Sequence, residues 1–358
     1  MADTLSFTGQ RAVYLAVNTI PFAYGRTSVF FHVASESQPG EPMCIKLFRS
    51  APEIDSRESA TSAFEREVTA QAALVHPNIL RVIDYGMESP RGGSFLVMPY
   101  CGGGNLRELL AGRAFLPLGS ALPLLRQIGD AVDFAHGRGV IHGDIKPENI
   151  LLNERRDHGY LSDFGLAKFF AFVEKVSTLA PSDRGGTTVY LPPELLRGHK
   201  PSTKSDVYAF GLVAYELLTG SLPFNTTAPL YEQLTAKVNG QLIDPRERNP
   251  AIGTGTAEAL MFALKEDPGE RLASAGDLCA LLDQSTRRAV SLHVNVAAPP
   301  APQAADIQNR RARSEPRRSW SAKEKLALLT AIVTAVAGLG TAVVQALPAV
   351  LEKLLSAK

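Results

Sequence analysis

The sequence predicts an α+β fold followed by a single membrane-spanning helix, and three observations carry that expectation. Over the first three quarters of the chain, apolar segments alternate with polar loops in an ordinary globular composition: 45% hydrophobic and 20% charged over 358 residues, enough for a large core. Short apolar runs of strand type end on acidic residues, as in "GYLSD", where the run delivers Asp163. Near the end, residues 326–347, "LALLTAIVTAVAGLGTAVVQAL", contain no charged residue. A helix rises about 1.5 Å per residue, so this segment matches the ~30 Å hydrocarbon core of a bilayer.

Composition also excludes functions. Lys+Arg 37 against Asp+Glu 36 gives a net charge of +1, too little excess for binding nucleic acid through bulk phosphate neutralisation, so no nucleic-acid partner is expected. Cys44, Cys101 and Cys279 are odd in number and far apart, without a CxxC pair, which points to reduced thiols and away from a disulfide framework or zinc site. The opening "MADTLSFTGQ" has no apolar core, so no signal peptide is expected.

The motifs that carry chemistry lie in the middle of the chain. "HGDIKPENILLN", from His142 to Asn153, sets Asp144, Lys146 and Asn149 just ahead of an apolar run. An aspartate placed to accept a hydroxyl proton, with an asparagine five residues on to hold a metal ion, suits phosphoryl transfer from ATP, which depends mainly on positioning and charge neutralisation. "GYLSDFGLAKFF" offers Asp163 as a carboxylate able to chelate magnesium between phosphates, with Gly165 free to turn the chain away. "GGTTVYLPPELL" and "KSDVYAFGLVAYELLTGSLPF" follow, from Gly185 and Lys204. An isolated HGD is shared by protein kinases and by small-molecule kinases of the aminoglycoside and choline type. The small-molecule enzymes usually lack the last two blocks, whereas the four in this order resemble the protein kinase family over about residues 11–282.

That resemblance implies a two-lobed fold over residues 8–287, with a small β-rich N-lobe to about residue 100 and a larger helical C-lobe from 101. Taken in order, "AYGRTSVFFHVA", residues 23–34, resembles the glycine-rich loop, with Gly25 its one glycine, Ser28 in the third glycine position and Phe30 in place of the usual valine. "EPMCIKLF" resembles the third strand, so Lys46 matches the lysine that clamps the α- and β-phosphates. Glu67, in "SAFEREVTAQAALVHPNILRVIDYG", matches its partner on the C helix. "SFLVMPYCGGGNLRELL" resembles the fifth strand and hinge. Met98 then matches the gatekeeper, backbone groups of Pro99 and Cys101 those that bind adenine, and Asn105 a polar residue near the ribose. Asp144 matches the catalytic base, Lys146 the residue that steadies the γ-phosphate, and Asn149 and Asp163 the magnesium ligands. Glu194 and Arg271 resemble a buried supporting ion pair, and Asp206 resembles an aspartate that bonds the catalytic-loop backbone.

The resemblance implies a serine/threonine protein kinase that uses ATP and Mg2+. Lysine two places after Asp144, together with Thr187 in "GTT", selects the serine/threonine class, and the expected partner is a protein with a Ser or Thr acceptor. Two departures stand out. Side chains in the degraded glycine loop are expected to weaken or reshape ATP binding. Gly143 replaces an arginine that usually pairs with an activation-loop phosphate, so activity is expected not to depend on phosphorylation between Phe164 and Pro193. A pseudokinase scaffold and a small-molecule phosphotransferase are the alternatives.

Residues 288–325, rich in Ala, Pro and Arg, read as a disordered linker, and residues 348–358 as a short tail. The linker carries Arg310, Arg311, Arg313, Arg317, Arg318, Lys323 and Lys325 against Glu315 and Glu324. By the positive-inside tendency, the kinase-like part is expected on the cytoplasmic side of a single-pass membrane protein anchored in the lipid bilayer through residues 326–347. Gly338 and Ala342 form a small-xxx-small pair of the kind that supports a homodimer.

Overall fold

The structure, a computed structural model, describes residues 5–24, 28–35, 40–48, 68–69, 71–164 and 188–294. Gly25, Glu67, Gly165, Thr187 and the expected membrane segment 326–347 lie outside them. Among the described residues, no helix is long and apolar enough to cross a membrane.

Seven strands form one antiparallel sheet: β1 (Ser6–Thr8), β2 (Val13–Ala16), β3 (Ala23–Tyr24), β4 (Ser28–Ser35), β5 (Met43–Phe48), β6 (Asp84–Gly86) and β7 (Phe95–Pro99). Their order is β1-β2-β4-β5-β7-β6, with β3 paired to β4 beside this path. Period-two alternation sorts the side chains. Val29, Phe31, Val33, Met43, Ile45, Leu47, Phe95 and Val97 face one way, into a core shared with Phe7 and Tyr14. Cys44, Leu96 and Met98 face the other way, against Val68, Leu80 and Val82. Lys46, between Ile45 and Leu47, belongs by parity to this second face, and the register sets it between Phe30 of β4 and Leu96 of β7.

The sheet starts upstream of the expected boundary at residue 8, because β1 begins at Ser6 and Phe7 is fully buried. Its turn into β2 is fastened by the buried Asp84 carboxylate. Asp84 accepts the N–H groups of Gln10 at 3.1 Å, Arg11 at 2.9 Å and Ala12 at 3.2 Å, and the Tyr14 hydroxyl at 3.1 Å.

The larger lobe comprises α1 (Leu106–Leu110), α2 (Leu118–His136), the hairpin β8 (Ile150–Leu152) and β9 (Gly159–Leu161), α3 (Pro193–Leu196), α4 (Thr203–Thr219), α5 (Leu230–Val238), α6 (Pro245–Arg248), α7 (Thr254–Ala263) and α8 (Ala275–Val294). α4 is buried continuously from Ser205 to Thr219, as expected of a helix apolar on every side. Ser202 and Ser205 close its N-terminus as a capping box, and Gly220 ends it at φ 76°, where a Cβ would collide with Ala114 O. α2, α7 and α8 pack around it in one core. α8 runs to Val294, so its last two turns occupy residues that composition alone assigned to the linker from 288.

Candidate active site

The hairpin β8–β9 brings two loops together. Ile150 pairs with Leu161, so Asn149 before β8 lies beside Ser162 after β9, and Ser162 N–H donates to Asn149 O at 2.9 Å. Asp163 comes next, at φ 61°, a left-handed conformation uncommon outside glycine and the kind of local strain that gathers at functional sites.

The loop before β8 folds around its own polar groups. Lys146 Nζ donates to both Asp144 carboxylate oxygens, at 3.0 and 2.8 Å. Asn149 Nδ2 donates to Asp144 O at 2.8 Å and Asp144 Oδ2 at 3.0 Å. The amide nitrogen is thereby committed, and Asn149 Oδ1 is the atom left to meet a cation. From the sheet side, the buried Lys46 ammonium pairs with Asp163 Oδ1 and lies 5.2 Å from the Phe48 ring centroid and 5.9 Å from that of Phe30. Lys46, Asp144, Lys146, Asn149 and Asp163, spread over 118 residues of sequence, thus meet where the two lobes face each other.

A shell of buried groups fixes this loop. Asp206, at the start of α4, accepts His142 N–H at 2.8 Å and Gly143 N–H at 2.9 Å, and bonds His136 Nε2 at 2.8 Å. The His142 ring reaches Ser162 O through Nε2 at 2.8 Å, while Nδ1 accepts Asp144 N–H at 3.2 Å. Burial holds its imidazole below the ordinary histidine range, against the opposing pull of Asp206, the Ser162 carbonyl, Asp144 and Asp163. Phe164 covers the ring at 4.6 Å. Arg271 meets Glu194 through two bonds, at 2.7 and 2.6 Å, and Ser205 donates to the same carboxylate at 2.9 Å, so this ion pair is buried and fully bonded.

The remaining expected site residues are placed as follows. Ser28 opens β4, buried and opposite Phe48. Pro99 ends β7, two residues before Cys101, whose thiol is pushed up to about 11 by burial. Among the described residues the Cys101 N–H has no hydrogen-bond partner, a free donor at the edge of the interlobe cleft. Asn105 is committed elsewhere: it caps α1, its Oδ1 accepting Glu108 N–H at 2.9 Å and its Nδ2 donating to Glu108 Oε1 at 2.8 Å. The spacing of Asn and Glu in "NLRE" is a capping signature that competes with a ribose role.

A second cluster was not foreseen from the sequence. Arg107 of α1 pairs with Glu216 of α4, bonds Glu148 Oε1 at 2.9 Å and meets the Tyr190 hydroxyl, which in turn donates to Glu216. Burial first, then the Glu216 carboxylate, raises the Tyr190 phenol well above its ordinary range. Each of the four lies within one of the quoted blocks, but their meeting depends on tertiary packing.

Among the described residues, no three His, Cys, Asp or Glu side chains group to hold a metal. One carboxylate and one amide oxygen, Asp163 and Asn149, fit a magnesium ion that takes its other ligands from phosphate and water, which is how Mg2+ is held in nucleotide sites. The donor set therefore fits Mg2+ bound together with a triphosphate and does not fit a free-standing metal centre.

Comparison with known proteins agrees with this geometry. The sequence model described as "Protein kinase domain" matches residues 24–281. The serine/threonine-protein kinase pkn3 of Myxococcus xanthus is 33% identical over 280 residues, covering 76% of this chain and 47% of the relative. The serine/threonine-protein kinase PknB of Mycobacterium leprae is 30% identical over 251 residues, covering 70% of this chain and 39% of the relative. The chain thus spans less than half the length of these relatives. The crystal structure of the Mycobacterium tuberculosis PknI kinase domain superposes with a TM-score of 0.59 at 25% identity, covering 79% of this chain and 99% of that domain.

Proposed function

The chain belongs to the protein kinase family, and from that premise we propose that it is a serine/threonine protein kinase, transferring the γ-phosphoryl group of ATP to a protein hydroxyl. The observation that carries this reading is the convergence on Asp144: its carboxylate is held in place by Lys146 and Asn149, next to the Lys46–Asp163 pair. In this reading Asp144 accepts the proton of the acceptor hydroxyl, and Lys146 beside it orients and neutralises the transferring phosphoryl. Lys46 would hold the α- and β-phosphates, and Asp163 with Asn149 Oδ1 would hold Mg2+. When bound, magnesium gathers the phosphate oxygens and offsets their charge. The free Cys101 N–H and the Pro99 carbonyl are the backbone groups offered to adenine, and Ser28 at the start of β4 is the side chain offered toward the phosphates.

The uncharged segment 326–347 and the basic residues before it support tethering of this domain to the cytoplasmic face of a membrane.

The reading is tested with the whole chain, labelled ATP, magnesium and a protein acceptor. Asp144→Asn is expected to slow transfer by about 10²- to 10⁴-fold with ATP binding retained. Absence of labelling from both forms would favour the scaffold alternative, and turnover of amino alcohols or sugars without labelled protein would favour the small-molecule alternative.

A further inference from the structure

One buried cation is left unused by the phosphoryl-transfer site. Lys237, near the end of α5, is only 1% exposed, yet it bears an ammonium group. Its Nζ donates to Val189 O and, at 3.1 Å, to Leu191 O, and lies 5.0 Å from the centroid of the Phe224 ring. Burial pulls this ammonium well below the ordinary lysine range. A buried amine is expected to give its N–H donors to acceptors, and an apolar side chain of similar length would leave these two carbonyls without that donor.

Lys237 holds the main chain on either side of Tyr190. From the opposite direction, the Tyr190 hydroxyl is gripped by Arg107 and Glu216, and Arg107 reaches on to Glu148 in the catalytic loop. Residues 189–191 are thus fixed through their carbonyls by α5 and through their one large side chain by α1 and α4. Tyr190, Leu191 and Pro192 also line a small pocket together with Gly143, Asp144 and Ile145. Lys237 thus fixes from behind a segment that lies against the loop carrying Asp144.

We propose that Lys237 is a positioning residue for the acceptor: by holding Val189 O and Leu191 O, it shapes the pocket wall beside Asp144 and so governs acceptor binding, with no part in binding nucleotide. The proposal rests on the kinase reading above and deepens it on the acceptor side.

The test uses the full chain with myelin basic protein as acceptor. Lys237→Met is expected to raise the acceptor KM about tenfold or more, because small misplacements near a reacting group are costly, while the ATP KM stays within about twofold. Amide hydrogen exchange over residues 188–195 is expected to quicken in the same variant. An unchanged acceptor KM in a folded Lys237→Met protein overturns the proposal. Should that variant fail to fold, Lys237→Gln, which keeps a donor for one carbonyl, is read in the same way; failure of both to fold assigns Lys237 to stability and also overturns it. A wild-type chain that labels nothing overturns the kinase reading instead. In that case exchange over 188–195 alone decides whether Lys237 fixes the segment, so the two failures are distinguishable.

Discussion

His142 contributes to the site without any group that reacts. With Nδ1 accepting the Asp144 N–H, the ring proton must sit on Nε2, where it donates to Ser162 O, so a single neutral tautomer links the loop of Asp144 to the strand exit that carries Asp163. A second proton would set a donor against the Asp144 N–H. Because burial depresses the folded pKa, the unfolded chain binds more protons than the folded one between that value and about 6.5, and stability must fall as pH drops through this window. His76, also lowered by burial, adds to the slope with the same sign. We expect urea midpoints to be flat between about pH 7.5 and 8 and to decline below about pH 6.5, by at most ~1.4 kcal/mol per pH unit for each histidine. The His142→Phe variant should show a shallower decline; an unaltered slope would contradict the assignment. At this scale the sequence was most informative where chemistry requires particular residue types at fixed spacing, as for Asp144, Lys146 and Asn149. It was silent on Lys237 and Tyr190, whose roles depend on where α5 and α4 come to rest.

Among the elements, the β8–β9 hairpin and α4 do most of the positioning. The hairpin register places Asn149 and Asp163 side by side, and the first turn of α4 supplies Asp206 to two backbone N–H groups of the catalytic loop. α3 is tied to the segment before α8 by the Glu194–Arg271 pair, and Arg271 also donates to Lys204 O, Lys265 O and Glu266 O. Arg271→Met would leave Glu194 as an uncompensated buried charge, and a loss of about 3–5 kcal/mol is expected from urea unfolding. Arg271→Lys keeps a charge without the planar fork and should recover only part of it. A loss below about 1 kcal/mol in Arg271→Met would place the pair among weak surface bridges. This ion pair was readable from "PPE" and "DPGERL" because its two residues sit in recognisable motifs. The Asp84 fastening was not, since Asp84 and the turn it holds carry no motif and lie more than 70 residues apart.

At the scale of the molecule, the described residues form two lobes with separate cores, one built on the seven-stranded sheet and one around α4. The family resemblance of the motifs implied the two lobes, while the tightness of their closure depended on contacts between distant segments. The proposed membrane anchor belongs to this scale. The whole chain is expected to float with lipid vesicles on a density gradient, and a chain ending at residue 325 to stay in the soluble fractions; equal behaviour of the two would refute the tether.

The fastening of β1 and β2 by Asp84 has a consequence for where this domain begins. The family model's match starts at residue 24, yet Phe7 and Tyr14 are embedded in the small lobe's interior. A protein trimmed to the homologous region would open a void there and strip a sequestered carboxylate of most of its donors. The physical edge of the folding unit therefore lies about one hairpin ahead of the edge that kinship marks.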